Sequence, residues 1–210
     1  MLLKYFKLCL LKLLYKKDTL IKYMIYNKYK NNIIVCLGDS ITLGKLPFYT
    51  YPQSLKKRLK GFYIYNKGFG GSTTSDMVYR FNNDVIILKP HYIIILGGIN
   101  DDISQIEITK KNLIFLYDES KKNGIIPIAC TLLPYFRYSN FVKEINNWIR
   151  MYTQINGITL VDFYDIMREP KNYLQLNPLY DSGDGLHPNI NGYLHMGESI
   201  NIKIFENQGE

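Results

Sequence analysis

The sequence predicts an α/β domain, a three-layer α/β/α sandwich built on a five-stranded parallel sheet. Three observations carry that reading. Short apolar runs of strand length recur along the chain, segments of helical length separate them, and the composition suits one buried core. The chain has 210 residues, 47% of them hydrophobic and 21% charged. That size is long enough for a core without disulfide or metal staples. The balance is neither that of a disordered tail nor that of a membrane bundle.

The elements follow in order. Strand-length apolar runs occur at Ile33–Leu37, Phe62–Tyr65, Tyr92–Leu96, Ile125–Cys130 and Thr159–Val161. Helical-length segments lie between them at Tyr51–Leu59, Thr74–Phe81, Ile106–Asn123 and Phe141–Asn156, and a last one runs from Asn191 to Phe205. Strands alternating with helices argue for a parallel sheet covered on both faces. Right-handed crossovers then give a flavodoxin-like sandwich. No repeat or low-complexity linker divides residues 32–207, which are expected to form one domain.

The formal charge of +8 first suggests nucleic acid or an anionic membrane as partner. Its distribution argues against nucleic acid. Residues 1–31 carry eight lysines and a single acid, Asp18, while the other 179 residues have a net charge of only +1. Arginine, the residue of forked phosphate and guanine contacts, makes up five of the 26 bases. The basic N-terminal extension has no run long enough for a secretory core or a membrane span, since lysines interrupt it. Leu2, Leu3, Phe6, Cys9, Leu10, Leu13 and Leu14 share one helical arc. Three readings stay open: an amphipathic helix on a membrane surface, a helix packed on the domain, or a leader outside the natural chain, with Met24 as start. Cys9, Cys36 and Cys130 include no CxxC pair, which points to reduced thiols, a cytoplasmic setting, and neither disulfide scaffold nor zinc module.

In an open α/β sheet, ligands bind beyond the carboxyl ends of the strands. After the first strand comes Gly38-Asp39-Ser40, and after the second Asn66-Lys67-Gly68-Phe69-Gly70-Gly71-Ser72. After the third comes Gly97-Gly98-Ile99-Asn100-Asp101, and near the C-terminus lies Asp184-Gly185-Leu186-His187-Pro188. Each piece alone is ambiguous. Gly-Asp-Ser is also an ordinary turn with a helix cap. The glycine-rich stretch could cradle a phosphate, but Thr73 stands where GxGxxG needs glycine. The chain has three histidines. His91 precedes its strand and belongs at the opposite end of the sheet, and His195 falls inside the last helix. His187 follows Asp184 by three residues, a spacing that lets the carboxylate fix the imidazole tautomer and leave Nε2 as a base. Ser40, Asp184 and His187 thus form a candidate nucleophile, orienting acid and base.

With those residues in hand, the sequence resembles the GDSL/SGNH hydrolase family of serine esterases and lipases. Gly38-Asp39-Ser40 matches its nucleophile block, Gly71 the glycine of the second, Gly98-Ile99-Asn100-Asp101 the GxND block and Asp184–Pro188 the DxxHP block. The blocks occur in order within residues 32–200. The resemblance implies a flavodoxin-like SGNH fold, Ser40 as nucleophile, His187 as general base and Asp184 as its acid. It implies an oxyanion hole from the N–H of Ser40, the N–H of Gly71 and the Asn100 amide, with neither metal nor cofactor. Gly71 suits that role if a side chain there would crowd the substrate. Asn66 and Asp101 are expected to tie loops, and Tyr49, Tyr51, Tyr135, Phe136 and Tyr138 either line a pocket or are ordinary surface aromatics. The block reads GDSIT rather than GDSL, and Thr42 replaces the second glycine of GxSxG. The implied function is hydrolysis of a small-molecule carboxylic ester, whether lipid, thioester, acetylated sugar or aryl. Alternatives are an O-acyltransferase using the same triad, and a phosphate- or nucleotide-binding module built on Gly68–Gly71.

Overall fold

In a computed structural model, the described residues are 17–25, 29, 32–45 and 49–205. The two most apolar runs become the middle of the sheet. Strands β1 (Ile33–Gly38) and β3 (Tyr92–Leu96) are buried along their whole length. Strands buried on both faces read as continuous hydrophobic runs, as these do. Around them lie β2 (Tyr63–Gly68), β4 (Ile126–Cys130) and β5 (Thr159–Val161) in the order β2-β1-β3-β4-β5. All the pairings are parallel. That is the flavodoxin-like order, as the sequence predicts. Register sets up the site: Gly38 pairs with Gly68 on one side and Leu96 on the other. Three strands therefore end level at one edge, and the loops beyond them are neighbours.

Helix α1 occupies residues 17–25, and the amphipathic arc at 2–14 lies outside the described residues. Among the described residues, no helix is long and apolar enough to cross a membrane. Directly after β1 comes α2 (Ser40–Leu43), followed by α3 (Tyr51–Arg58) with Thr50 as its N-cap. Helix α4 (Thr74–Asp84) starts on a capping box of Thr73 and Asp76. The longer α5 (Ile106–Lys122) and α6 (Ser139–Ile155) follow β3 and β4. Helix α7 (Phe163–Met167) and a small hairpin of β6 (Arg168–Glu169) and β7 (Asn172–Leu176) come after β5. Helix α8 covers Ile190–Ser199.

The structure departs from expectation at the C-terminus. One helix to Phe205 is replaced by α8, an extended Ile200 (φ −68°, ψ 122°), and a 3-10 turn at Ile202–Phe205. Arg58 from α3 explains the stop, because it donates to the carbonyls of Gly197 (3.0 Å), Glu198 (2.6 Å) and Ile200 (2.8 Å). A guanidinium there satisfies the end carbonyls and complements the helix dipole. Cys36 and Cys130 are buried free thiols. Burial pushes the Cys36 thiol up to about 12, so it stays protonated at neutral pH.

Gly68 is the tightest point beneath the site. A Cβ there would come 2.0 Å from the Leu43 amide nitrogen and 2.5 Å from its Cα. These are backbone atoms and cannot rotate away. Gly68→Ala is expected to cost about 1–3 kcal/mol in a urea denaturation series, the usual penalty of overpacking. Unchanged stability would show that α2 is free to shift off the sheet.

Candidate active site

The site is assembled from the three level strand ends and the loop before α8. Ser40 leaves β1 as the first residue of α2, held there by Asp39, whose Oδ1 accepts from the Ile41 N–H at 2.8 Å. His187 arrives on a loop fixed by the bridge between Asp181 and Pro188. Asp181 Oδ1 also accepts from the N–H groups of Gly183 (2.9 Å) and Gly185 (3.1 Å). The result is a continuous chain of hydrogen bonds. Ser40 Oγ lies 2.9 Å from His187 Nε2, and His187 Nδ1 lies 2.8 Å from Asp184 Oδ2. With Asp184 accepting, Nδ1 carries the proton and Nε2 is left to accept the Ser40 hydroxyl. The fold brings Ser40 to His187 across 147 positions of chain, and the three-residue spacing brings Asp184 to the other ring nitrogen.

Asp184 is held as an anion. Partial burial pushes its carboxyl up, but hydrogen bonds from the His187 backbone and ring and from the Leu186 N–H outweigh that, so it lies well below the usual range. Lys45, one residue past the Gly44 that ends α2, adds a cation that sequence reasoning passed over. Its Nζ is 3.3 Å from Asp184 Oδ2 and 2.8 Å from Ser182 Oγ, tying the nucleophile segment to the histidine loop. In a chain with 26 basic residues nothing singled it out.

Gly71 and Asn100 lie on the loops after β2 and β3. Asn100 Nδ2 donates to the Ser72 carbonyl at 3.2 Å, which puts its amide against the Gly71 loop. Within the protein itself, the demand for glycine at 71 comes from the backbone. A Cβ there would meet nothing within 4 Å, but φ is +73°. Gly71 N–H has no backbone acceptor among the described residues, and Ser40, at the start of a helix, has no intrahelical one. Asn66 ties the loops as expected, donating to the Thr42 carbonyl at 2.8 Å and accepting from the Gly68 N–H at 2.9 Å. Asp101 does the same for α4, accepting from the Thr74 N–H and hydroxyl and from Thr109 Oγ1.

The five aromatics separate. Tyr51 is fully buried and packs on Phe163 with ring centres 5.4 Å apart, so it is core and not pocket. Tyr51 opens α3, as the sequence predicts, with Pro52 in the first turn, and its ring faces inward. Tyr135 and Tyr138 meet edge to face at 5.2 Å, and Phe136 is exposed. Tyr49 lines a cavity of about 390 Å³ behind the histidine loop, together with Lys45, Ser182, Ile190 and Tyr193. The remaining histidines stay out of the site, His91 stacked on Tyr92 and His195 on Tyr180.

Comparison with known proteins places the chain in a family. Acetylxylan esterase of Geobacillus stearothermophilus is 26% identical over 155 residues, 67% of this chain and 71% of that protein. The uncharacterized lipoprotein YqeF of Bacillus subtilis (strain 168) is 37% identical over 117 residues. That match takes in 48% of each protein, so the chain spans about half the length of this curated relative. The crystal structure of a GDSL-like lipase from Bacteroides thetaiotaomicron superposes with a TM-score of 0.72 at 28% identity, covering 84% of this chain and 89% of that one. The family model described as GDSL-like lipase/acylhydrolase matches residues 36–194, a span containing every residue of the site. The chain belongs to the GDSL-like lipase/acylhydrolase family.

Proposed function

We propose that the chain hydrolyses small carboxylic esters through a seryl acyl-enzyme. The observation that carries this reading is the unbroken relay from Ser40 Oγ through His187 to Asp184 at 2.9 and 2.8 Å. A serine hydroxyl is a weak nucleophile until a base takes its proton. In the first step Ser40 Oγ attacks the ester carbonyl and His187 Nε2 accepts the hydroxyl proton. The carbonyl oxygen becomes an oxyanion, facing the N–H groups of Ser40 and Gly71 and the Asn100 amide, each worth about 3–4 kcal/mol to the transition state. His187 then gives its proton to the departing alkoxide. Water, deprotonated by the same nitrogen, releases the acid and restores Ser40.

Water and an acceptor alcohol would compete for the same acyl-enzyme, and product analysis with and without an acceptor alcohol separates hydrolysis from acyl transfer. A phosphate-binding role for Gly68–Gly71 is disfavoured, because Gly68 is packed against Leu43 and the triad would have no use. The relative that acts on acetylated xylan supports a short acyl group on a sugar hydroxyl as the first substrate to try.

The test is covalent labelling. A fluorophosphonate probe is expected to modify Ser40, located by peptide mapping, and pretreatment with the probe to block p-nitrophenyl acetate turnover. Label on another residue, or none, would overturn the proposal. A series of p-nitrophenyl esters from acetate to octanoate then reads the acyl pocket.

A further inference from the structure

Arg80 projects from α4 beneath the active-site loops, and its side chain is only 16% exposed. One end of its guanidinium, Nη2, donates to the Gly38 carbonyl at 2.7 Å and reaches Ser72 Oγ at 3.4 Å. The other, Nη1, donates to the Lys67 carbonyl at 2.8 Å and to Asp84 Oδ2 at 2.7 Å. These acceptors sit where the ladder between β1 and β2 runs out, since Gly38 and Gly68 are its last pair. Two residues beyond Gly38 is Ser40. Four residues beyond Lys67 is Gly71, and Ser72 in turn accepts from Asn100 Nδ2.

One rigid fork thus grips the strand end that delivers the nucleophile and the strand end that delivers the glycine loop. It also touches the residue on which Asn100 rests. Among the described residues, the Phe69 N–H also reaches the Gly38 carbonyl at 3.0 Å, and Asn66 ties β2 to the Thr42 carbonyl, but neither of these bonds involves Ser72. Glycine-rich backbone has little stiffness of its own, and misplacing a reacting group by about 1 Å costs about 10²-fold in rate. A planar guanidinium loses little freedom in holding several acceptors at once, whereas an ammonium is a point charge on a flexible stem.

We propose that Arg80 is a positioning residue that holds the Gly71 loop in register with Ser40, so that the donors of the oxyanion hole converge on one point. The proposal rests on the esterase reading. It predicts damage to kcat with substrate binding little changed, because the guanidinium does not face the substrate and acts through the loops.

The experiment compares Arg80→Met, Arg80→Lys and Arg58→Met with the wild-type full chain on p-nitrophenyl acetate. Fluorophosphonate titration counts the competent sites, so that kcat is expressed per titrated serine and loss of folded protein is divided out. Arg58→Met is the control, since it also removes several guanidinium–carbonyl bonds but at the far end of α8. Arg80→Met is expected to lower kcat per titrated serine about 10²-fold, with KM within about twofold of wild type. Arg80→Lys should fall between, and Arg58→Met should lose stability while keeping kcat per site. An Arg80→Met kcat no lower than that of Arg58→Met would overturn the proposal. Where Arg80→Met fails to fold, Arg80→Lys decides, and a wild-type kcat in it would overturn the proposal equally. A wild-type chain that neither titrates nor turns over would instead overturn the esterase reading, and this proposal with it.

Discussion

Ser40→Ala is expected to abolish ester turnover while leaving the melting temperature nearly unchanged. The two halves of that result have separate causes. Ser40 Oγ makes its hydrogen bond to His187 and to no core atom, so alanine removes the nucleophile and little packing. Alanine is also the best helix former at the start of α2. Removing the nucleophile of a serine triad costs about 10⁶-fold in kcat, and the residual rate comes from binding and the oxyanion hole. His187→Ala should fall to the same floor, and the double variant should be no worse than either single one, because the two residues act as a unit. The measurement is kcat for p-nitrophenyl acetate or butyrate, alongside thermal unfolding by circular dichroism. Undiminished turnover in Ser40→Ala would sink the acyl-enzyme mechanism. Lost turnover with a melting point lowered by many degrees would mean that the serine holds the fold.

What the chain discloses before folding depends on length scale. Runs such as Ile33–Leu37 and Tyr92–Leu96 announce themselves because a central parallel strand is apolar on both faces. Helices of eleven residues or more show their period. Helix α2 has four residues and α7 has five, less than two turns each, so no period distinguishes them from loop. The two-residue β6 gives no alternation to read either. The end of α8 is legible only with Arg58 in place, and Arg58 lies 139 residues from Gly197. Chemistry follows a similar rule. His187 and Asp184 could be picked out because histidine is rare here and the two are three residues apart. Arg80 and Lys45 gave no signal, since a basic residue on a helix or in a turn reads as a solvated surface charge. Their meaning arises from partners on other strands and loops.

The second large effect concerns Asp39. Its side chain is fully buried, and although Oδ1 accepts the Ile41 N–H, Oδ2 has no hydrogen-bond partner among the described residues. Burial pushes its carboxyl up to about 7. The Ile41 N–H and the Arg80 guanidinium pull the other way, and neighbouring Asp101 adds to the rise. In the unfolded chain the same carboxyl titrates near 3.9. Between those values the folded protein keeps a proton that the unfolded chain has released. The stability associated with that proton is complete below about pH 4 and is lost as pH rises to about 7. The loss amounts to about 4 kcal/mol at most. Asp39→Asn keeps an acceptor for the Ile41 N–H and cannot ionise, so its stability should lack that slope. Any fixed cost of burying the amide cancels when the two proteins are compared across pH. Urea unfolding at pH 4, 5.5, 7 and 8.5 should therefore show the variant gaining on the wild type by a few kcal/mol between the first and last points. Parallel curves would mean that the folded protein compensates the Asp39 charge. A widening gap would mean that the residue fixing the first turn of α2, and with it Ser40, is a source of instability at the pH where a histidine base must work.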